Sequence, residues 1–108
     1  VTTVEILRMA KELLVKRGWW QGGFVAPGKD VASCPLCAEA AVNIAATGEV
    51  EGSDGSRPAR MVLDRVVGGT LFAWNDSEGR TLAEVLAAFD RAIALATPGG
   101  VTPGGGEW

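Results

Sequence analysis

One stretch of the chain has the residue types and spacing of a reactive site: Cys34-Pro35-Leu36-Cys37. A Cys-x-x-Cys pair at a helix start favours the thiolate and can cycle between dithiol and disulfide. The same spacing supplies half of a tetrahedral zinc site. Each reading wants something the sequence does not offer. A thioredoxin-like role calls for a βαβ context, whereas a Gly/Pro/Lys/Asp stretch leads into Ser33. Zinc calls for four nitrogen or sulfur ligands, but there is no histidine and no third cysteine, so carboxylates or a second subunit would have to complete the set. The competing expectation is structural. On a helix beginning at Pro35, Cys37 falls with Ala41 and Ile44 at the centre of an apolar face, and Cys34 lies near the same side. Small buried thiols are ordinary core residues, so no cofactor is expected.

Other chemistry is thinly represented. The lack of histidine removes the commonest general base. The carboxylates fall mostly on solvent faces or in connectors. There is no Gly-x-Ser-x-Gly elbow and no phosphate-binding glycine loop followed by Lys-Ser/Thr. The reading leans away from an enzyme and keeps one enzymatic alternative, a small site with Asp76 and Arg80 in a shared cleft. Arg57, Arg60 and Arg65 are interrupted by Asp64, and the net charge is −3. That balance fits a solvated face and excludes a nucleic-acid patch. No apolar run reaches the roughly 20 residues of a membrane helix. No secretory apolar segment stands near Glu5. A cytoplasmic protein with reduced thiols is expected. Val1 suits a GTG start codon in a high-GC genome.

Tryptophan carries the stronger signal. Trp19, Trp20, Trp74 and Trp108 all fall outside the helical patterns. Trp19 suits a lid on the first helix, and Trp74 a core plug before a turn. Adjacent Trp19 and Trp20 do not easily share one core, so one is expected to be exposed and free for protein contacts. Together with the missing catalytic groups, this makes a non-enzymatic protein-interaction module the leading expectation, with another protein as partner and neither nucleic acid nor membrane involved. The candidate binding residues are Trp19, Trp20, Gln21, Trp74, Asn75, Asp76 and Arg80. Cys34 and Cys37 stand behind them as a metal or redox alternative.

These residues need elements to hold them. Thr2 and Glu5 form a capping box for a helix running to Arg17. Ile6, Met9, Ala10 and Leu13 lie on its apolar face, with Leu7 and Leu14 at the edge. Lys16 and Arg17 complement the dipole of its last turn. Gly18 is placed to close it in a left-handed conformation, with Trp19 folding over Leu14. Residues 18–33 read as a long loop in which Phe24 and Val25 are extended. A second helix, capped by Ser33 or Cys34, runs from Pro35 to about Ala46. It is apolar nearly all round and therefore central. A third spans Arg57 to Val67, with Ala59, Val62, Leu63 and Val66 inward. Thr70 to Trp74 reads as a short extended segment, and Asn75 to Gly79 as a turn. A second capping box, Thr81 with Glu84, opens the last helix, whose face is Leu82, Val85, Leu86, Phe89, Ile93 and Ala96. The expected architecture is all-α: a compact four-helix bundle-like domain over residues 1–96 with irregular or short extended connectors. A Gly/Pro-rich tail at 97–108 is expected to be disordered.

Trp74-Asn75-Asp76-Ser77-Glu78-Gly79-Arg80-Thr81 with Glu84-Val85 resembles the Trp-Asn-Asp…Gly-Arg-Thr…Glu-Val signature of a small uncharacterised family of actinobacterial and actinophage proteins. Arg17-Gly18-Trp19-x-Gln21-Gly22 and the cysteine opening the second helix resemble it as well, so the likeness runs over roughly residues 3–96. It implies a small, mainly helical domain and no particular activity. Cys37 departs from the pattern, which has a small residue there; Cys34 is the more family-like of the two. The run also has a physical reading. Asn75 and Asp76 cap backbone N–H groups of the turn, Gly79 takes positive φ, and Arg80 pairs with Asp76 or Glu84. The alternative is a ligand or partner site beside Trp74.

Overall fold

The structure, a computed structural model, describes residues 2–26 and 34–97. Five helices occupy them: α1 (Thr3–Arg17), α2 (Ala38–Thr47), α3 (Arg57–Val67), α4 (Leu71–Asn75) and α5 (Leu82–Ala96). The all-α reading holds, with one helix more than expected. Of the tail expected over 97–108 only Thr97 is described, and the rest of it, with Trp108, and the proposed Ser33 cap lie outside the described residues.

Both capping boxes form. The Thr2 hydroxyl accepts from the Glu5 N–H at 3.1 Å while Glu5 accepts from the Thr2 N–H at 2.9 Å. Thr81 and Glu84 repeat the exchange at the start of α5. Each box satisfies two backbone donors that a helix N-terminus leaves unpaired. The buried face of α1 is rotated from the expected one. Leu7, Ala10 and Leu14 are fully buried, whereas Met9 is 46% exposed. Adjacent apolar pairs at 6–7 and 13–14 support two phases of the same period; packing keeps both Ile6 and Leu7 inside, and of the second pair buries Leu14 more deeply than Leu13. A similar turn occurs in α5, where Ala88 and Ala92 join Val85 and Phe89 inside.

Helix α2 is the most thoroughly buried, with Ala38, Ala40, Ala41, Val42, Asn43 and Ala45 all inside. Its small side chains let α1 approach closely. It does not centre the bundle alone: α2 and α5 both lean on α1, and α3 packs on α5. Its N-terminus also comes later than expected. Pro35 and Leu36 are extended because their polar groups pair with the loop before them. The Leu36 N–H donates to the Gly18 carbonyl at 3.0 Å, and its carbonyl accepts from the Trp20 N–H at 2.9 Å. On the other side the Cys37 N–H donates to the Phe24 carbonyl, and the Pro35 carbonyl accepts from the Ala26 N–H. Leu36 is thus the middle of three extended segments, a parallel rung to Trp19 and an antiparallel rung to Val25. The extended reading of Val25 holds, and Cys37 becomes the N-cap of α2 instead of a residue within it.

Gly18 makes this junction possible. Its N–H still closes α1 on the Leu14 carbonyl, but at φ 98° and ψ 162° it is not left-handed helical, and the chain leaves extended. Trp19 then runs beside Leu36 and packs against the core cluster that includes Leu14. The second correction is α4. Thr70 to Trp74 is not extended: the Leu71 N–H is capped by the Asp64 carboxylate at 2.7 Å, and Trp74 N–H and Asp76 N–H close helical bonds on Thr70 and Phe72. Leu71 and Asn75, four residues apart, then face the core together. Periodicity does not separate strand from helix in so short an apolar run.

Candidate functional site

The candidate binding residues come from two segments far apart in sequence, and the fold joins them. Asn75, fully buried at the end of α4, is the joint. Its Oδ1 accepts from the Trp19 indole N–H at 2.6 Å and from the Ala38 N–H at 3.0 Å. Its Nδ2 donates to the Trp20 carbonyl at 3.1 Å and to the Asp76 carboxylate at 2.9 Å. One amide therefore uses both acceptor and both donor positions, and ties the 19–22 loop, the first turn of α2 and α4 together. Gln21 adds a second tie, its Nε2 donating to the Asn75 and Ser77 carbonyls at 2.9 Å each. Asp76 adds a third by accepting from the Gly22 N–H at 3.1 Å. Phe24 stacks on Phe72 with ring centroids 5.4 Å apart, closing the same seam with apolar contact.

The tryptophans sit around this joint. Trp19, Trp20 and Trp74 are each half-buried. The expected division into one buried and one exposed partner at 19–20 is not what occurs. Trp19 goes inward to Asn75, while Trp20 folds back along its own loop, its indole lying against Gly22 and Gly23. Trp74 packs partly against the core, carries Arg80 over its ring and lines the cleft beside it with the rest. The Arg80 guanidinium stands 4.0 Å from the ring centroid, its Nε donating to the Trp74 carbonyl at 3.1 Å. Its outer nitrogen reaches Glu84 at 3.4 Å. Arg80 thus takes Glu84, not Asp76. Gly79 has the positive φ expected of it, 81°. A cleft of about 350 Å³ opens beside this pair, lined by Trp74, Arg80, Glu84, Ala87 and Arg91. Asp76 is not among its walls, being held by the Gly22 N–H and the Asn75 amide.

The two cysteines are both buried and not joined in a disulfide, and their surroundings differ. Cys37 belongs to the main core and caps α2, its sulfur accepting from the Ala40 N–H at 3.3 Å. Burial pushes its thiol up to about 11, against the lesser pull of the helix N–H groups. The dipole effect that would activate it is outweighed by desolvation. Cys34 lies outside that cluster, under Arg17, whose Nε donates to the Cys34 carbonyl at 3.0 Å and whose outer nitrogen is 3.7 Å from its sulfur. Among the described residues no three Cys, Asp or Glu side chains gather around one point. No described helix is long and apolar enough to cross a membrane.

The partner groups that sequence reasoning missed are the Ala38 N–H and the Leu36 backbone. Neither has a side-chain signal, and both matter through the main chain alone. Asn75 and Asp76 do cap backbone donors as expected, but the donors are Ala38 and Gly22 instead of the local turn.

The chain belongs to the family of unknown function DUF6197, which matches residues 1–95. No curated protein and no solved structure matches it.

Proposed function

We propose that this family member is a non-enzymatic protein-interaction module whose contact surface is the joined pair of segments 19–22 and 74–80. The observation that carries this is the Asn75 joint. It holds Trp20, Trp74 and Arg80 on a cross-braced platform, with the aromatic rings half in solvent. Aromatic and arginine side chains dominate the energetics of protein interfaces. Holding them in place before binding lowers the ordering cost of association. The partner is read as another protein, in the cytoplasm of an actinobacterium or of a phage-infected actinobacterial host. The composition and the signature around Trp74 support that source, and two buried cysteines without a disulfide suit a reducing compartment.

Trp20→Ala tests the reading. The substitution leaves the backbone bonds of residue 20 in place and removes only a half-buried ring. Stability should fall by about 1–2 kcal/mol, with the domain still folded by circular dichroism. Capture of a partner from actinobacterial lysate should fall about tenfold or more. Unchanged capture, or loss of the fold itself, would sink the proposal.

A further inference from the structure

The cleft beside Trp74 has a chemistry of its own. Its wall is the Trp74 ring with Arg80 laid across it. Its far side is α5, on which Glu84, Ala87 and Arg91 recur at three- and four-residue steps and so share one face. Ala87, the smallest of them, leaves the space between two cationic ends. The single carboxylate is already engaged. One Glu84 oxygen accepts from the Thr81 N–H at 2.9 Å and from the Thr81 hydroxyl at 3.2 Å, and the other faces Arg80. Arg91 is exposed and, among the described residues, has no ion pair or hydrogen bond from its side chain. On a chain of net charge −3, the cleft carries two guanidinium groups against one occupied carboxylate.

The larger depression between α1 and α5, about 610 Å³, has the same excess of one cation, but it has no aromatic wall and a second carboxylate stands among its cations. Acidic Glu12 and Asp90 line it beside Arg8, Lys11 and Lys16, and Lys11 spans it to Asp90 at 2.6 Å.

We infer that the Trp74–Arg80–Arg91 cleft is a docking site for an acidic peptide segment of a protein partner, an Asp or Glu side chain meeting Arg91 while a neighbouring apolar side chain lies on Ala87 and the Trp74 ring. The inference rests on the interaction reading above and names the partner's chemistry. A guanidinium recognises a carboxylate in a planar, two-point geometry, which Arg80 has already spent on Trp74 and Glu84 and Arg91 has not. Arg91 thus supplies selectivity for charge, and Trp74 the apolar contact.

The test uses the full chain, ¹⁵N-labelled, and three pools of blocked hexapeptides. Two positions are fixed as Asp/Glu, as Asn/Gln or as Lys, and the intervening positions are varied among apolar residues. The acidic pool should shift the Trp74 indole and Arg91 side-chain resonances, and should bind more weakly as salt is raised. Arg91→Glu should weaken binding at least about tenfold, roughly the loss of one well-placed charged contact. Arg91→Lys should recover part of it. If the Asn/Gln or Lys pool binds residues 74–91 as tightly as the acidic pool, the acidic assignment is wrong and the interaction reading survives. Equal acidic binding by Arg91→Glu has the same meaning. If no pool perturbs residues 19–22 or 74–91, both are overturned.

Discussion

Asn75 and Asn43 are both fully buried, and they are treated in opposite ways. Asn75 makes two bonds through each end of its amide, to four residues in three segments. Asn43, inside α2, donates once to the Val50 carbonyl at 2.8 Å, and its Oδ1 has no partner among the described residues. A buried amide is costly unless its groups are paired. The same side chain is therefore a cross-brace in one region and a tolerated burden in the other. The difference lies in what surrounds each. Asn75 stands where a loop with free N–H and C=O groups must be fastened to a helix start. Asn43 faces the connector between α2 and α3, whose other polar groups are met by Thr47, Ser56 and Arg60.

Placing leucine at both positions puts this to the test, since the size is similar and the polar groups are lost. Asn75→Leu strands the Ala38 N–H, the Trp19 indole and the Trp20 carbonyl, and should cost about 3 kcal/mol or more. Asn43→Leu removes an unpaired acceptor and releases only the Val50 carbonyl, on a half-buried residue. It should change stability by less than about 1 kcal/mol in either direction. Urea denaturation measures both. Equal losses at the two sites would remove the distinction.

Gly18 belongs to the same fastened region and should show the next largest effect. An added Cβ would lie 3.5 Å from Pro35, an ordinary contact, so Gly18→Ala isolates the torsional cost of φ 98° with ψ 162°. That conformation is essentially confined to glycine, and the loss should be about 1–3 kcal/mol. Chemical shifts of residues 19–22 should move while those around Val50 stay fixed. If instead the connector at 48–56 responds, the two regions are one cooperative unit.

The two regions also differ in how far they could be read from residues alone. The capping boxes at Thr2–Glu5 and Thr81–Glu84 are legible because both partners lie within one turn. The boundaries of α3, set by the turn before Arg57 and the glycines after Val67, are legible for the same reason. The start of α2 is not, because Pro35 looks like a first-turn residue until Gly18, Trp20 and Phe24 claim the backbone beside it. The candidate residues around Asn75 stand out in the sequence by type, mostly as tryptophans and turn formers. Their mutual bonding spans 37 to 56 residues of sequence and follows no local rule. The Trp74 turn was visible as a motif; that Arg80 and α5 would open a cleft beside it depended on α4 being helical. Asn43 is a polar residue on a helix that is otherwise nearly all apolar, and nothing in its neighbours announces that its side is covered by the connector.

The smallest effect should come from Glu39, one turn before Asn43 on the same helix. Burial raises its carboxyl above the ordinary 4.5. The nearby Arg60 guanidinium opposes that shift, and Asp64 adds to it. A carboxyl raised by folding binds its proton more tightly in the native state than in the unfolded chain. Its stabilising contribution is therefore full below pH 4.5 and fades as pH rises through the native value. Glu5 and Glu84 run the other way. Their Thr2 and Thr81 N–H bonds lower them, so what they contribute is present above 4.5 and is lost on further acidification. The two kinds of carboxyl thus act on opposite sides of pH 4.5. Glu39→Gln should flatten the decline in stability just above 4.5 and leave the acid limb unchanged, a difference of a few tenths of a kcal/mol given the half-exposed side chain. Denaturant midpoints at closely spaced pH values would show it. An altered acid limb would mean that Glu39 is coupled to the helix caps, and that the face of α2 bearing Asn43 is not the separate, loosely satisfied region that its unpaired oxygen marks.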